Sequence, residues 1–200
     1  MVSLRKLVPS ALASAFVLVS ASALASDWDI DAAHTHVGFG VKHMMISTVH
    51  GTFKTFSGTV ALDDADIAKS KIHLDIDAAS ITTDNDKRDE HLKSPDFFDA
   101  AHFPKLTFDS TTIQKLGADK LNVTGNLTIK NVTKPVVLAI TNLSAEVKDP
   151  WGGVHRGATG TAKINRKDFG LGWNKALETG GVVVGEEVTL ELDIDVVKKK

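Results

Sequence analysis

Apolar and polar residues alternate along most of this chain with a period of two rather than 3.6. "HVGFGVKH" places Val37, Phe39 and Val41 on one face and His36, Gly38, Gly40 and Lys42 on the other. Ile72, Leu74 and Ile76 alternate in "KIHLDID", and Leu106 and Phe108 in "KLTFDS". Leu121, Val123, Gly125, Leu127 and Ile129 carry the pattern on, followed by Val136, Leu138 and Ile140. The last two runs show Ala158, Gly160, Ala162 and Ile164, then Val188, Leu190, Leu192, Ile194 and Val196. In "VHGTFKTFSGTVAL" the phase slips by one. Val49, Gly51 and Phe53 share a face, and then Phe56, Gly58, Val60 and Leu62 do, which predicts a β-bulge.

Eight or nine strands with one apolar and one wet face predict antiparallel sheet. The turn-rich joins "LDDADIAKS", "KLGAD" and "KNVTKP" predict local connections. Many short strands mean a sandwich or a barrel, and the glycines inside the strand patterns favour a barrel. The predicted fold is therefore all-β, an eight-stranded antiparallel barrel. Two segments interrupt it. In "TTDNDKRDEHLKSPDFFDA", Asp84 or Asn85 caps a short helix that Ser94-Pro95 ends, predicting a helical flap over 84–94 with Phe97 and Phe98 beyond it. "NRKDFGLGWNKALETGG", with Phe169, Leu171 and Trp173, reads as an aromatic loop or short helix before the last strand.

Composition narrows the setting. "MVSLRKLVPSALASAFVLVSASALA" has a basic start, a short apolar run and "ALA" at 23–25, the pattern of a cleaved secretory signal. That predicts a leader over 1–25, a single domain over 26–200 and a periplasmic protein. Removing Arg5 and Lys6 from the 23 basic residues leaves 21 against 25 acidic, a net charge near −4 with both signs interspersed. Nucleic acid is therefore not the expected partner. The absence of cysteine excludes a disulfide framework, thiol redox chemistry and thiolate metal sites.

Candidate chemistry is sparse. There is no Gly-x-Ser-x-Gly, His-Glu-x-x-His, P-loop or dinucleotide fingerprint, so no catalytic residue is assigned. His34 and His36 sit two apart on what reads as one strand and could ligate a metal, but no third ligand is fixed by spacing and no metal residue is assigned. Alternation places His43 and Arg156 on the inward face. His43 reads as a satisfied core group or a polar anchor in a cavity. Arg156 needs a partner there: either an acid such as Asp84, Asp86 or Asp96, or a ligand headgroup. The rest of the inward set is aliphatic and aromatic. An eight-stranded barrel is wide enough either to be packed or to hold one small ligand. The small inward residues Gly51, Gly58, Ala78, Gly125, Ala158, Gly160 and Ala162 leave width that tilts the reading toward a cavity.

Four stretches, "DAAHTHVGFGVKHMMISTVHGTF", "RDEHLKSPDFFDAAHFPKLTF", "GNLTIKNVTKPV" and "INRKDFGLGW", follow one another across residues 28 to 196. Together they resemble the YceI-like family of exported bacterial proteins, also called polyisoprenoid-binding. His36 and His50 are small departures from the family pattern and weaken a metal claim built on them. The resemblance implies a lipocalin-like barrel that carries a long apolar amphiphile (isoprenoid, quinone-like, or fatty acyl or amide) without catalysis. No cofactor is implied beyond that lipid-like ligand.

On this reading Phe39, Val41, Phe53, Leu74, Ile76, Phe108, Leu127, Ile129, Leu138 and Ile164 line the tunnel. Phe97, Phe98, Phe169 and Trp173 shape its mouth, and His43 or Arg156 holds the head. Candidate partners are the apolar ligand, the membrane or its electron-transfer proteins in transient contact, and a second copy in a homodimer. The rival readings are sequestration of toxic apolar compounds under stress, a metal-binding periplasmic enzyme using His34 and His36, and an interaction module with a filled core.

Overall fold

A computed structural model describes residues 26–178 and 180–200; the leader expected over 1–25 lies outside them. The first strands are β1 (Ser26–Ile30), β2 (His36–His43), β3 (Ser47–Phe53), β4 (Phe56–Leu62), β5 (Lys71–Asp77) and β6 (Ile81–Thr82). Helix α1 (Asp86–Lys93) follows. Then come β7 (Lys105–Lys115), β8 (Leu121–Ile129), β9 (Val132–Thr141), β10 (Val147–Lys148), β11 (Val154–Asn165) and β12 (Val184–Lys198).

These segments build eight staves. Segments β1 and β2 form one, β3 and β4 the second, β5 and β6 the third; β7, β8, β9, β11 and β12 are the others. Each stave pairs antiparallel with the next along the chain. Strand β12 then returns to pair with both β1 and β2, which closes the barrel. Short β10 lies outside the ring, paired with the start of β11.

The phase slip near Phe53 is not a one-residue bulge. The second stave breaks at Lys54–Thr55, the first at Asp31–Thr35, and the third at the 3-10 turn Ala78–Ser80. Because β1 faces β4 while β2 faces β3, and β4 faces β5 while β3 faces β6, the three breaks lie side by side. Bonds from Lys54 N–H to the Ser80 carbonyl (3.1 Å) and from Asp77 N–H to the Thr55 carbonyl (2.9 Å) cross this crease. A corner shared by three staves bends the sheet and lets Phe56 turn back toward the core after Phe53.

Direction along the staves sorts the connections to two ends. Helix α1 and the segments 94–104, 166–178 and 180–183 lie at one end, the flap end. The 63–70 loop, the 116–120 turn and the chain from 142 to 153 lie at the other. The main core runs through the barrel from Val37 and Phe53 to Ile140 and Leu171. A second cluster of Trp28, Val60, Leu62 and Val196 fills the end opposite the flap.

Gly51 and Gly125 do not leave open width, contrary to the expectation from their size, and neither does Gly58, where a Cβ would sit 2.3 Å from the His73 carbonyl oxygen. A Cβ on Gly51 would sit 2.4 Å from the Phe39 ring, and one on Gly125 would sit 2.3 Å from the Phe108 ring and 2.7 Å from the Asp109 carbonyl. Gly51 and Gly125 are each roofed by a phenyl group from the neighbouring stave. Gly125→Ala should therefore destabilise the barrel by about 1–3 kcal/mol through overpacking. Gly172→Ala, which meets nothing within 4 Å, should stay within about 0.5 kcal/mol of the parent. Urea unfolding of the two variants checks both.

Candidate functional site

The inward faces enclose a cavity of about 250 Å³. Apart from Arg156 and Arg166, every side chain lining it is aliphatic or phenylalanine. The wall follows β12 inward from Val188 to Val196. The eight residue-to-residue steps between them, tilted as in a barrel of this size, cover about 20 Å of axis. One leaflet of a bilayer's hydrocarbon core is about 15 Å deep. The cavity lining thus follows β12 over a length comparable to that depth.

Of the residues expected around a tunnel, Phe39, Val41, Phe53, Leu74, Ile76, Phe108, Leu127, Ile129, Leu138 and Ile164 all line the cavity, as do Phe97, Phe98 and Arg156. His43, Phe169 and Trp173 do not. His43 continues the regular β2–β3 ladder, pairing with Ser47, but it ends β2 beyond the lining residue Val41, where the pairing with β12 skips from Val188 to Val184. Phe169 is packed behind the wall in the main core. Trp173 stands over the flap end, 5.3 Å from the Phe97 ring and edge-on to His91 at 4.7 Å. Phe98 meets Phe53 edge-to-face at 5.7 Å. His34 lies in the turn before β2 rather than on the strand, so it does not form a same-face pair with His36.

The helix expected over 84–94 is α1, Asp86–Lys93. Asn85 caps it by accepting from the Arg88 N–H at 3.0 Å, and Ser94 closes it before Pro95. With so few apolar residues, α1 needs another anchor, and Asp89 supplies it. Its side chain is buried and accepts from the Thr82 hydroxyl (2.8 Å), the Thr83 N–H (2.8 Å) and the Thr83 hydroxyl (2.5 Å). Burial works to raise the Asp89 pKa, but those donors and the Arg88 charge hold it below the ordinary aspartate value.

Arg166 was not singled out from the sequence, although the even-numbered inward register of Ile164 extends to it. It is buried at the flap end, where Nε donates to the Gly185 carbonyl at 2.8 Å, Nη2 to Val184 at 3.3 Å and Nη1 to Leu171. Burial pushes its pKa down and Glu186 opposes this. These backbone bonds tie β12 to the 166–171 segment.

Arg156 sits at the opposite end, so the acids expected to pair with it are out of reach. Asp84, Asp86 and Asp96 belong to the flap end. Its actual partners are Asp64 at 2.8 Å and Glu146 at 3.9 Å, and Lys198 also meets Glu146 at 2.8 Å. The guanidinium lies over Trp28, 5.4 Å from the ring centre. Trp28 is wholly buried and donates from Nε1 to the Ser26 hydroxyl at 2.8 Å. It plugs this end, and no sequence pattern distinguished it from an ordinary strand residue. The Nε of Arg156 is buried, and among the described residues it has no hydrogen-bond partner.

A family model described as "YceI-like domain" matches residues 28–196. The chain belongs to the YceI-like family. It is 38% identical over 181 residues to protein YceI of Escherichia coli O6:H1, covering 90% of this chain and 91% of that one. Among solved structures, BcnA of Burkholderia cenocepacia aligns with a TM-score of 0.73 at 29% identity, over 83% of this chain and 98% of that one. A polyisoprenoid binding domain from Saccharophagus degradans aligns with a TM-score of 0.63 at 17% identity, over 88% of this chain and all of its own length, a likeness of fold. The YceI-like barrel thus surrounds an apolar interior here, with a flap at one end and Arg156 at the other.

Because Asp89 holds α1 down, Asp89→Ala should cost about 1–3 kcal/mol by leaving the Thr83 N–H and two hydroxyls unpaired. Hydrogen exchange at 82–93 should rise before exchange in the barrel. A depressed folded pKa makes the anchor's contribution complete above about pH 4 and lost as pH falls through the lower folded value. Thermal unfolding between pH 7 and 2 of parent and Asp89→Ala should therefore converge only at the acidic extreme.

Proposed function

We propose that this protein binds and carries, in the periplasm, a single long apolar chain whose one polar head is uncharged. The observation that carries this reading is an apolar cavity whose lining arginine at one end has a buried Nε–H without a partner among the described residues. Burial of the chain would supply about 0.8 kcal/mol per CH₂ before ordering costs. The head class follows from charge. Arg156 and Lys198 are already offset by Asp64 and Glu146. An ionised carboxylate or phosphate would bring an uncompensated charge into an apolar interior. A carbonyl, amide or hydroxyl oxygen would satisfy the Arg156 Nε at no such cost. Isoprenoid alcohols, quinones and fatty amides fit this description. A solved relative of the same fold is described as a polyisoprenoid binding domain, which supports the same ligand class.

The test is native mass spectrometry of the exported protein, followed by organic extraction and identification of what is released. One apolar molecule per chain is expected; protein that carries none and takes up no apolar fluorophore overturns the reading. In competition against that fluorophore, a fatty amide should displace it at lower concentration than the fatty acid of equal chain length. Arg156→Met should weaken the amide by about tenfold or more, the loss of one hydrogen bond from a charged donor.

A further inference from the structure

The turn between β1 and β2 holds side chains that the cavity does not use. Asp31 N–H donates to the Asp195 carbonyl at 2.9 Å. The Thr35 hydroxyl donates to the same carbonyl at 3.0 Å and accepts from the Asp195 N–H at 3.0 Å. Those three bonds strap residues 31–35 against β12. As a result the carboxylates of Asp31 and Asp195 and the imidazole of His34 converge, one ligating atom from each lying within 4.8 Å of the others. Ligands around a tetrahedral zinc at ordinary bond lengths are about 3.4 Å apart. Closing the cluster on an ion therefore needs side-chain shifts of about 1 Å, and the His34 side chain, 70% exposed, is free to make them.

The carboxylates are held in place as metal ligands usually are. Oδ1 of Asp31 accepts from the Ala33 N–H at 2.9 Å. Oδ1 of Asp195 lies 2.9 Å from Nδ1 of His155, and the Nε2 of that ring lies 3.2 Å from Asp149. The second oxygen of Asp195 makes no hydrogen bond among the described residues that would compete with an ion. Nδ1 of His34 lies 2.8 Å from the second Asp31 oxygen, a place where an ion can substitute for a shared proton. The neighbouring His36 contributes nothing: its nearest polar contact is the Thr52 hydroxyl at 3.5 Å.

We propose that Asp31, His34 and Asp195 form a surface site for a divalent transition-metal ion of the zinc type, with water completing the coordination and His155 orienting Asp195. One imidazole with two carboxylates suits zinc and its neighbours; calcium takes six to eight oxygen ligands. A bound ion would staple the break in the first stave to β12, the strand that closes the barrel. This site is independent of the apolar ligand and stands or falls separately from it.

The experiment titrates metal-stripped protein with zinc chloride, read by calorimetry and by the melting temperature. One zinc per chain is expected, with a rise in Tm because the ion binds the folded state. His36→Gln should behave as the parent, His34→Gln should lose the site, and His155→Gln should bind about tenfold more weakly. His34 is exposed, so its replacement should leave the fold intact; unchanged circular dichroism checks this, and Asp31→Asn serves as a second ligand-deleting variant. The proposal is overturned if the parent takes up no zinc, if His34→Gln and Asp31→Asn both bind zinc as the parent does, or if calcium produces the same response as zinc.

Discussion

Strand β12 is hydrogen-bonded along both edges, to β11 on one side and to β1 and β2 on the other, and the remaining architecture follows from that closure. A closed sheet has no free edge to cover. Its width is set by the number and tilt of its staves, not by how well the inward side chains meet. A sandwich can settle until its two faces touch, whereas a barrel cannot. Leu74, Leu190, Leu192 and Ile194 thus point inward yet are only half-buried, because what they face is the cavity. The same closure makes the two ends the places where the interior must be stopped, by Trp28 at one and by the α1 flap with Phe97 and Trp173 at the other.

Three buried or nearly buried charged groups separate structure from binding. Asp89 is met by two threonines and Arg166 by three backbone carbonyls, so both are satisfied by the protein itself. Arg156 donates from Nη1 to Asp64 and has Glu146 3.9 Å from Nη2, but among the described residues its buried Nε has no partner. In an interior that offers no other polar side chain at that end, an unpaired donor is costly unless something else supplies the acceptor. On the proposed reading, this difference between the two arginines gives the cavity a direction, with the polar head of the chain at Arg156 and its tail toward the flap.

Much of this was legible in period-two alternation. It placed Phe39, Val41, Leu74, Phe108, Leu127 and Ile164 on the inward face because a regular antiparallel ladder preserves parity over its whole length. Parity did not show where the cavity stops or where a stave turns a corner. His43 sits opposite the irregular stretch of β12 between Val184 and Val188, and Lys54–Thr55 is a corner shared by three staves rather than a local bulge. Parity also says nothing about which end of a stave a residue occupies. Asp84, Asp86 and Asp96 were therefore plausible partners for Arg156 until the strand directions separated them by the length of the barrel. Gly51 and Gly125 looked like vacant width, but the rings that cover them come from neighbouring staves, a relation no single strand reveals. The cluster of Asp31, His34 and Asp195 joins positions more than 160 residues apart and was invisible for the same reason.

The claim that the interior is the binding site is tested most directly by filling it. Ala158 lines the cavity from β11 and is small enough that Ala158→Trp would occupy the channel. Uptake of an apolar fluorophore should be measured for this variant beside its circular dichroism and melting temperature. A binding interior predicts a folded barrel that no longer takes up the probe. A folded Ala158→Trp protein that binds the probe as tightly as the parent would contradict it and move the ligand to the outer surface.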